Sequence, residues 1–196
     1  MLLDLLKKTR SYRNFDPKQE VKKDDLLEII NHCRFAPSAV NRQPVRFAYA
    51  YKKEDCERIF PNLAWAGMIK VNKPPYPGNE PTAYILLCYD TELSKDSPEV
   101  DMGIYAQTLV LSAAEKGLGA CILGSINKPA LSDIFGLPEN WVPRLIVALG
   151  GPNEEIVLTD AVDGDTRYYR DEKGTHYVPK RPLEEIAREV GEKENS

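Results

Sequence analysis

The sequence has only two histidines, His32 and His176, and four cysteines, Cys33, Cys56, Cys88 and Cys121, set far apart with no C-x-x-C pair. That spacing fits neither a zinc site nor a disulfide framework, so the thiols read as reduced, mostly buried small hydrophobes. No apolar run reaches the roughly 18 residues that cross a bilayer, and Asp4 stands where a signal peptide carries basic residues. A cytoplasmic location is the expectation. Positive charge is not in excess: 26 Lys and Arg face 30 Asp and Glu, a net charge of -4, which argues against a general nucleic-acid binder. Neither G-x-G-x-x-G nor G-x-x-x-x-G-K-[ST] occurs, so the Rossmann fingerprint and the P-loop are both missing.

What is present suits one ordinary folded unit. The 196 residues predict a single domain over 1–196, burying roughly 70% of its unfolded surface and leaving no room for separate cofactor and substrate domains. Leu2 to Lys8 reads as a short helix with Leu2, Leu3, Leu5 and Leu6 on one side. A second helix, capped by Asp24 or Asp25, carries Leu26, Leu27, Ile30 and Cys33 at helical spacing and stops before Pro37. Strands are expected over Phe47–Tyr51, Ala83–Tyr89, Ala120–Leu123 and Leu145–Leu149. Asp101–Lys116 is the strongest helix, apolar nearly all round and closed by Gly117, a pattern that motivates a second subunit to cover it. Asn127 and Pro129 open a further helix that ends at Gly136, and Pro182 opens a last one with Leu183, Ile186, Ala187 and Val190 on one face. Prolines at 74, 75, 77 and 81 mark a loop. Strands interleaved with helices predict a sheet covered by helices, its strand directions left open.

Two basic clusters carry anion-binding chemistry. Arg10-Ser11-Tyr12-Arg13 sets two guanidiniums around a hydroxyl, able to grip a phosphate, and Lys180-Arg181 immediately precedes the helix opened by Pro182. A solvated basic turn is the plainer reading of either one alone. Between Pro37 and Pro44, Asn41 and Gln43 each offer amide donors and a carbonyl acceptor, the set that reads the edge of a heterocycle, although an ordinary capped turn has the same composition.

Taken in order, Arg10-Ser11-x-Arg13, Ala36-Pro37-Ser38-Ala39-x-Asn41-x-Gln43-Pro44, Gly117-Leu118-Gly119, Leu149-Gly150 and Pro179-Lys180-Arg181-Pro182 resemble the FMN-dependent nitroreductase family over nearly the whole chain. The resemblance implies an α+β fold, a mixed central sheet flanked by helices, in a homodimer holding FMN at the subunit interface. By position, Arg10, Ser11, Arg13, Lys180 and Arg181 would hold the phosphate and ribityl chain, and Asn41 and Gln43 the pyrimidine edge. Pro37, Ser38 and Ala39 would line that wall, and the main chain of Ile122, Leu123 and Gly124 would approach flavin N5. Trp65 and Lys70 are candidates for the substrate side, with Lys73 near enough in sequence to share the latter's role.

The implied reaction is ping-pong: NADH or NADPH gives a hydride to the flavin, and a nitroarene or quinone-like acceptor takes the electrons. The flavin then carries the chemistry and no catalytic side chain is expected, in keeping with a sequence that shows no triad, metal cluster or carboxylate dyad. Reductive dehalogenation or flavin fragmentation on the same fold, or a non-catalytic FMN-binding module, are the alternatives.

Overall fold

The computed structural model describes residues 1–69 and 73–190. The chain folds into two compact units, Met1–Asn153 and Glu154–Ser196. The first unit contains α1 (Leu2–Lys8), β1 (Phe15–Asp16), α2 (Lys23–Cys33), β2 (Val45–Ala50), α3 (Lys53–Ile59), β3 (Ala83–Asp90), α4 (Glu99–Glu115), β4 (Gly119–Leu123), α5 (Lys128–Phe135) and β5 (Trp141–Pro152).

The long strand β5 organises the sheet. One of its edges pairs with β3, which in turn pairs with β2; the other edge takes β4 and then β1 at Gly151 and Pro152. All these ladders are antiparallel, and the parallel component is a bridge between Ser11 and Ala120 at the β4 edge. The helix-covered sheet is therefore as expected, with strand directions that the apolar runs could not specify.

The continuous apolar run of β3 follows from burial on both faces. Ile85 and Leu87, with Val147 and Leu149 of β5, join α2 and α4 in one core that includes Leu26, Ile29, Met102, Leu109 and Ala113. Alternate residues Tyr84, Leu86, Ile146 and Ala148 face the opposite way, toward α3 and α5, and all four are fully buried. α4 is buried on most of its surface as its composition predicted, and Phe47 of β2 meets Tyr105 edge-on at 6.0 Å.

The helix ends show which local signals hold. Asn127 caps α5 by accepting the Ala130 N–H, and Gly136 closes it at φ 59° in the left-handed region. At α2 the structure corrects the expectation: Lys22 occupies the N-cap with no side-chain cap, and Asp24 and Asp25 lie in the first turn, where they face the positive end of the helix dipole. α1 forms as expected, yet Leu2, Leu3 and Leu6 are exposed.

Gly150 is needed for close approach. A Cβ there would lie 2.9 Å from Cδ1 and 3.0 Å from Cβ of Phe15, whose side chain is wholly buried and cannot withdraw. Gly150→Ala is expected to destabilise the fold by about 1–3 kcal/mol through overpacking, read as a lowered urea midpoint at unchanged m-value.

The second unit contains β6 (Ile156–Asp160), β7 (Tyr169–Arg170), β8 (His176–Lys180) and a four-residue helix α6 (Leu183–Ile186). β8 lies between β6, parallel to it, and β7, antiparallel to it. Inside this unit Arg170 and Glu154 form an almost fully buried ion pair, and Tyr169 stacks on Tyr177 at 5.0 Å. The helix predicted after Pro182 is thus one short turn, and Leu183, Ile186 and Val190 are exposed.

Candidate functional site

The basic turn and the Ile122–Gly124 main chain expected beside flavin N5 meet on one sheet edge. Ser11 bridges Ala120, and the Tyr12 N–H donates to the Ala120 carbonyl at 2.9 Å, so Arg10 to Arg13 run along the outer side of β4. Further on, the Ala64 N–H donates to the Ser125 carbonyl at 3.0 Å and Leu63 bridges Ile126. Between these two attachments lie Ile122, Leu123 and Gly124; Ile122 is 39% exposed and Gly124 is open, while Leu123 is turned into the core. A Cβ on Gly124 would meet only Leu145 Cδ2, at an ordinary 3.6 Å.

Arg10 is the most telling of the basic residues. Its Nη2 donates to the Leu6 carbonyl at the end of α1 at 2.8 Å, while its Nε is buried with no hydrogen-bond partner among the described residues. Burial lowers the guanidinium pKa from its usual value, opposed in part by Tyr12, and a buried donor left without an acceptor is costly. An anionic ligand would supply that acceptor. Ser11 is exposed, and Arg13 donates from Nη1 to the Ser11 carbonyl at 3.2 Å.

The Pro37–Pro44 loop hangs from the start of β2, at the sheet edge opposite β4. Strands β2 and β4 are therefore three ladder spacings, about 14 Å, apart. In this loop Val40, Asn41 and Gln43 have φ of 46°, 54° and 50°. Three left-handed residues without a glycine among them, one β-branched, constitute local strain, and such strain persists where surrounding contacts impose it. It leaves Asn41 and Gln43 exposed, with Gln43 Nε2 donating to Asn41 Oδ1 at 3.0 Å. Pro37 and Ala39 are also exposed and Ser38 is partly so.

Two struts hold this loop, and neither was signalled by the sequence. Asp101, 2% exposed in the first turn of α4, accepts the Ser38 hydroxyl at 2.6 Å through Oδ2 and the Ala39 N–H at 3.1 Å through Oδ1. Arg46 donates to the Gln43 carbonyl at 2.9 Å and pairs with buried Asp90 at 3.2 Å, which also accepts from Asn140 at 2.8 Å. An acid in a first helical turn ordinarily reads as a partner of the helix dipole, which hides the long-range role of Asp101.

The other expected residues fall as follows. Trp65 is buried and tilts against Phe60 at 5.9 Å, so its side chain packs the segment that flanks Gly124. Lys70 lies outside the described residues, and Lys73 is exposed. In the second unit Lys180 ends β8 and is exposed; Arg181 is exposed and donates to Glu185 at 2.8 Å. All four cysteines are buried and none forms a disulfide, and burial pushes the thiols of Cys33, Cys56 and Cys88 up to about 12, which removes them as nucleophiles. No cluster of metal-ligating side chains occurs among the described residues, and no helix among them is long and apolar enough to cross a membrane.

The fold is thus α+β, with a basic turn bordering an open stretch of sheet edge and a braced amide-bearing loop on the same unit. The nitroreductase family profile matches residues 6–151, and the chain belongs to that family. A relative from Archaeoglobus fulgidus, provisionally named an NADH dehydrogenase/NAD(P)H nitroreductase, is 27% identical over 176 residues, covering 86% of this chain and 94% of its own. Among solved structures, a nitroreductase family protein from Clostridium difficile 630 is 25% identical with a TM-score of 0.62, over 78% of this chain and 84% of the other. The NADPH:FMN oxidoreductase of Vibrio harveyi, solved with NAD+, shares the fold at 20% identity and a TM-score of 0.65, over 99% of this chain and 79% of its own.

Proposed function

We propose that this protein is an FMN-dependent oxidoreductase that takes a hydride from NADH or NADPH and reduces a small aromatic or quinone-like acceptor such as a nitroarene by a ping-pong mechanism. The observation that carries this reading is the Ser11–Ala120 bridge, which sets an anion-gripping turn beside the open main chain of Ile122–Gly124. The buried Nε of Arg10 without an acceptor fits a phosphate at that turn.

Bound FMN supplies the hydride-accepting and hydride-donating chemistry, for which the protein needs no catalytic side chain. Arg10, Ser11 and Arg13 hold the phosphate and ribityl chain through charge-assisted bonds, and the family resemblance assigns Lys180 and Arg181 to the phosphate as well. Asn41 and Gln43 present donors and acceptors to the pyrimidine edge, beside a wall of Pro37, Ser38 and Ala39. The main chain of Ile122, Leu123 and Gly124 borders the reacting face, with the Trp65 segment and Lys70 toward the substrate.

The loop and the β4 wall sit at opposite edges of one sheet, and the leucines of α1 are exposed. Both features support a homodimer in which each protomer supplies part of each flavin site. NAD(P)H nitroreductase relatives and the Vibrio fold neighbour are named for the same donors.

FMN at about 100 times its Kd is expected to stabilise the protein by about 2.7 kcal/mol, a rise in Tm of roughly 5–10 °C. Anaerobic NADH or NADPH should then bleach the visible flavin absorbance. A colourless protein whose Tm ignores FMN would refute the reading. Bound FMN reduced by neither nicotinamide would favour dehalogenation, flavin fragmentation or a non-catalytic binding role instead.

A further inference from the structure

We infer that Asp101 is a positioning residue for the flavin-edge loop: from the first turn of α4 its buried carboxylate accepts hydrogen bonds from the Ser38 hydroxyl and the Ala39 N–H, and thereby imposes the left-handed backbone that displays Asn41 and Gln43. This rests on the flavin reading for its functional consequence, and on the loop geometry alone for the clamp itself.

The Ser38 hydroxyl has one proton, and it is donated to Asp101 at 2.6 Å. The same oxygen accepts the Gln43 N–H at 2.9 Å, and the buried Tyr105 phenol also approaches it. Ser38 is therefore a hinge pin, joined to Asp101 on one side and to Gln43 five residues on, and its hydroxyl proton is not free to meet a ligand. The two anchored amides, Ala39 and Gln43, bracket Val40 and Asn41 at φ of 46° and 54°, and Gln43 itself has φ of 50°. Residues with side chains enter this region at a cost, so the loop holds it only while the bracket holds. A carboxylate suits the post because it accepts two bonds from two directions without needing a donor in return. An amide in its place keeps the shape but offers one acceptor; the other terminus can only donate, so a charge-assisted bond gives way to a neutral one and the Ser38 proton loses its acceptor.

The effect is to make the ring-edge amides ready before any ligand arrives. Ordering a loop on binding reduces affinity, and preorganisation removes that loss. Asp101 thus acts on binding through Ser38 and Gln43 without touching the ligand.

The test compares wild type, Asp101→Asn, Ser38→Ala and the double variant as full-length protein. Amide hydrogen exchange in the FMN-free proteins is read at Ala39 and Gln43 against the amides of β3, alongside FMN titration and the visible circular dichroism of the bound flavin. Asp101→Asn is expected to speed exchange at Ala39 and Gln43 about tenfold or more with β3 unchanged, to weaken FMN about tenfold or more, and to alter the flavin dichroism. The double variant should lose less than the sum of the two single losses, because Asp101→Asn and Ser38→Ala share the Ser38–Asp101 bond. Unchanged local exchange, FMN affinity within about twofold of wild type, or fully additive losses would each overturn the clamp. A wild-type protein that binds no FMN would sink the flavin reading alone, since the exchange comparison still decides whether Asp101 holds the loop. Should Asp101→Asn fail to fold, Asp101→Glu, which keeps the charge but displaces the carboxylate by one methylene, gives the same exchange comparison at Ala39 and Gln43.

Discussion

Arg10→Ala is expected to weaken FMN binding by about 1.5–3 kcal/mol, the range for a hydrogen bond to a charged group, which is roughly a 10- to 150-fold rise in Kd. Burial has cut the Arg10 Nε off from water, and no acceptor among the described residues satisfies it. A phosphate oxygen there recovers a charge-assisted bond in a partly desolvated setting, where the attraction is screened less than at an open surface. Arg10→Lys should recover only part of the loss, because an ammonium cannot reproduce the planar fork. Isothermal titration with FMN at two salt concentrations measures both. An alanine variant with wild-type affinity would place the phosphate elsewhere. The lost Nη2 bond to the Leu6 carbonyl affects only the end of α1, so the apo-protein Tm should move little by comparison.

Leu109→Ala is expected to cost about 3–5 kcal/mol of folding stability and to lower Tm by roughly 6–20 °C. Leu109 is wholly buried in α4, in the core that α4 shares with α2 and with Ile85, Leu87, Val147 and Leu149 of the sheet. Strands paired on both sides cannot move inward to fill the space, so the loss includes a cavity as well as the transfer of the side chain. Urea unfolding followed by tryptophan fluorescence gives the number. A loss below about 1 kcal/mol would mean that α4 is free to slide, and the bracing of Asp101 would then need a different support.

Much of the fold was legible because its signals are local. The apolar run of Ala83–Tyr89 needed no partner to be recognised as a buried strand, and Asn127, Pro129 and Gly136 bound α5 through rules that operate within one turn. The same rules misplaced the α2 cap, because two aspartates at the start of a helix satisfy either a cap or the dipole and only the backbone path decides. Pro182 marked a helix start correctly, yet four residues of helix followed, since nothing about a start signal sets length. The sheet order was hidden for a different reason: β5 uses both edges, and pairing partners as distant in the chain as Ala83 and Leu149 leave no periodic trace.

Site residues divide along the same line. Arg10, Ser11, Arg13, Asn41 and Gln43 stood out because charge and amides cluster in sequence. Asp101 did not, since it lies 63 residues from the Ser38 hydroxyl it accepts, and the Arg46–Asp90 pair did not, since its two members sit on different strands. Trp65 is a substrate-side candidate by resemblance, and its side chain is buried against Phe60 in the segment beside Gly124.

The opening along β4 is framed by Ser11 and Tyr12 at one end and Leu63 and Ala64 at the other, and apart from the Ile122 side chain what it offers between them is peptide. Every residue type carries the same peptide group, so this part of the surface is insulated from sequence drift: Ile122 can be exchanged for many residues and Gly124 has room for a methyl group. Alanine scanning will therefore pass over it as silent, and a mutational map of this protein will understate a stretch whose contribution survives almost any substitution except proline.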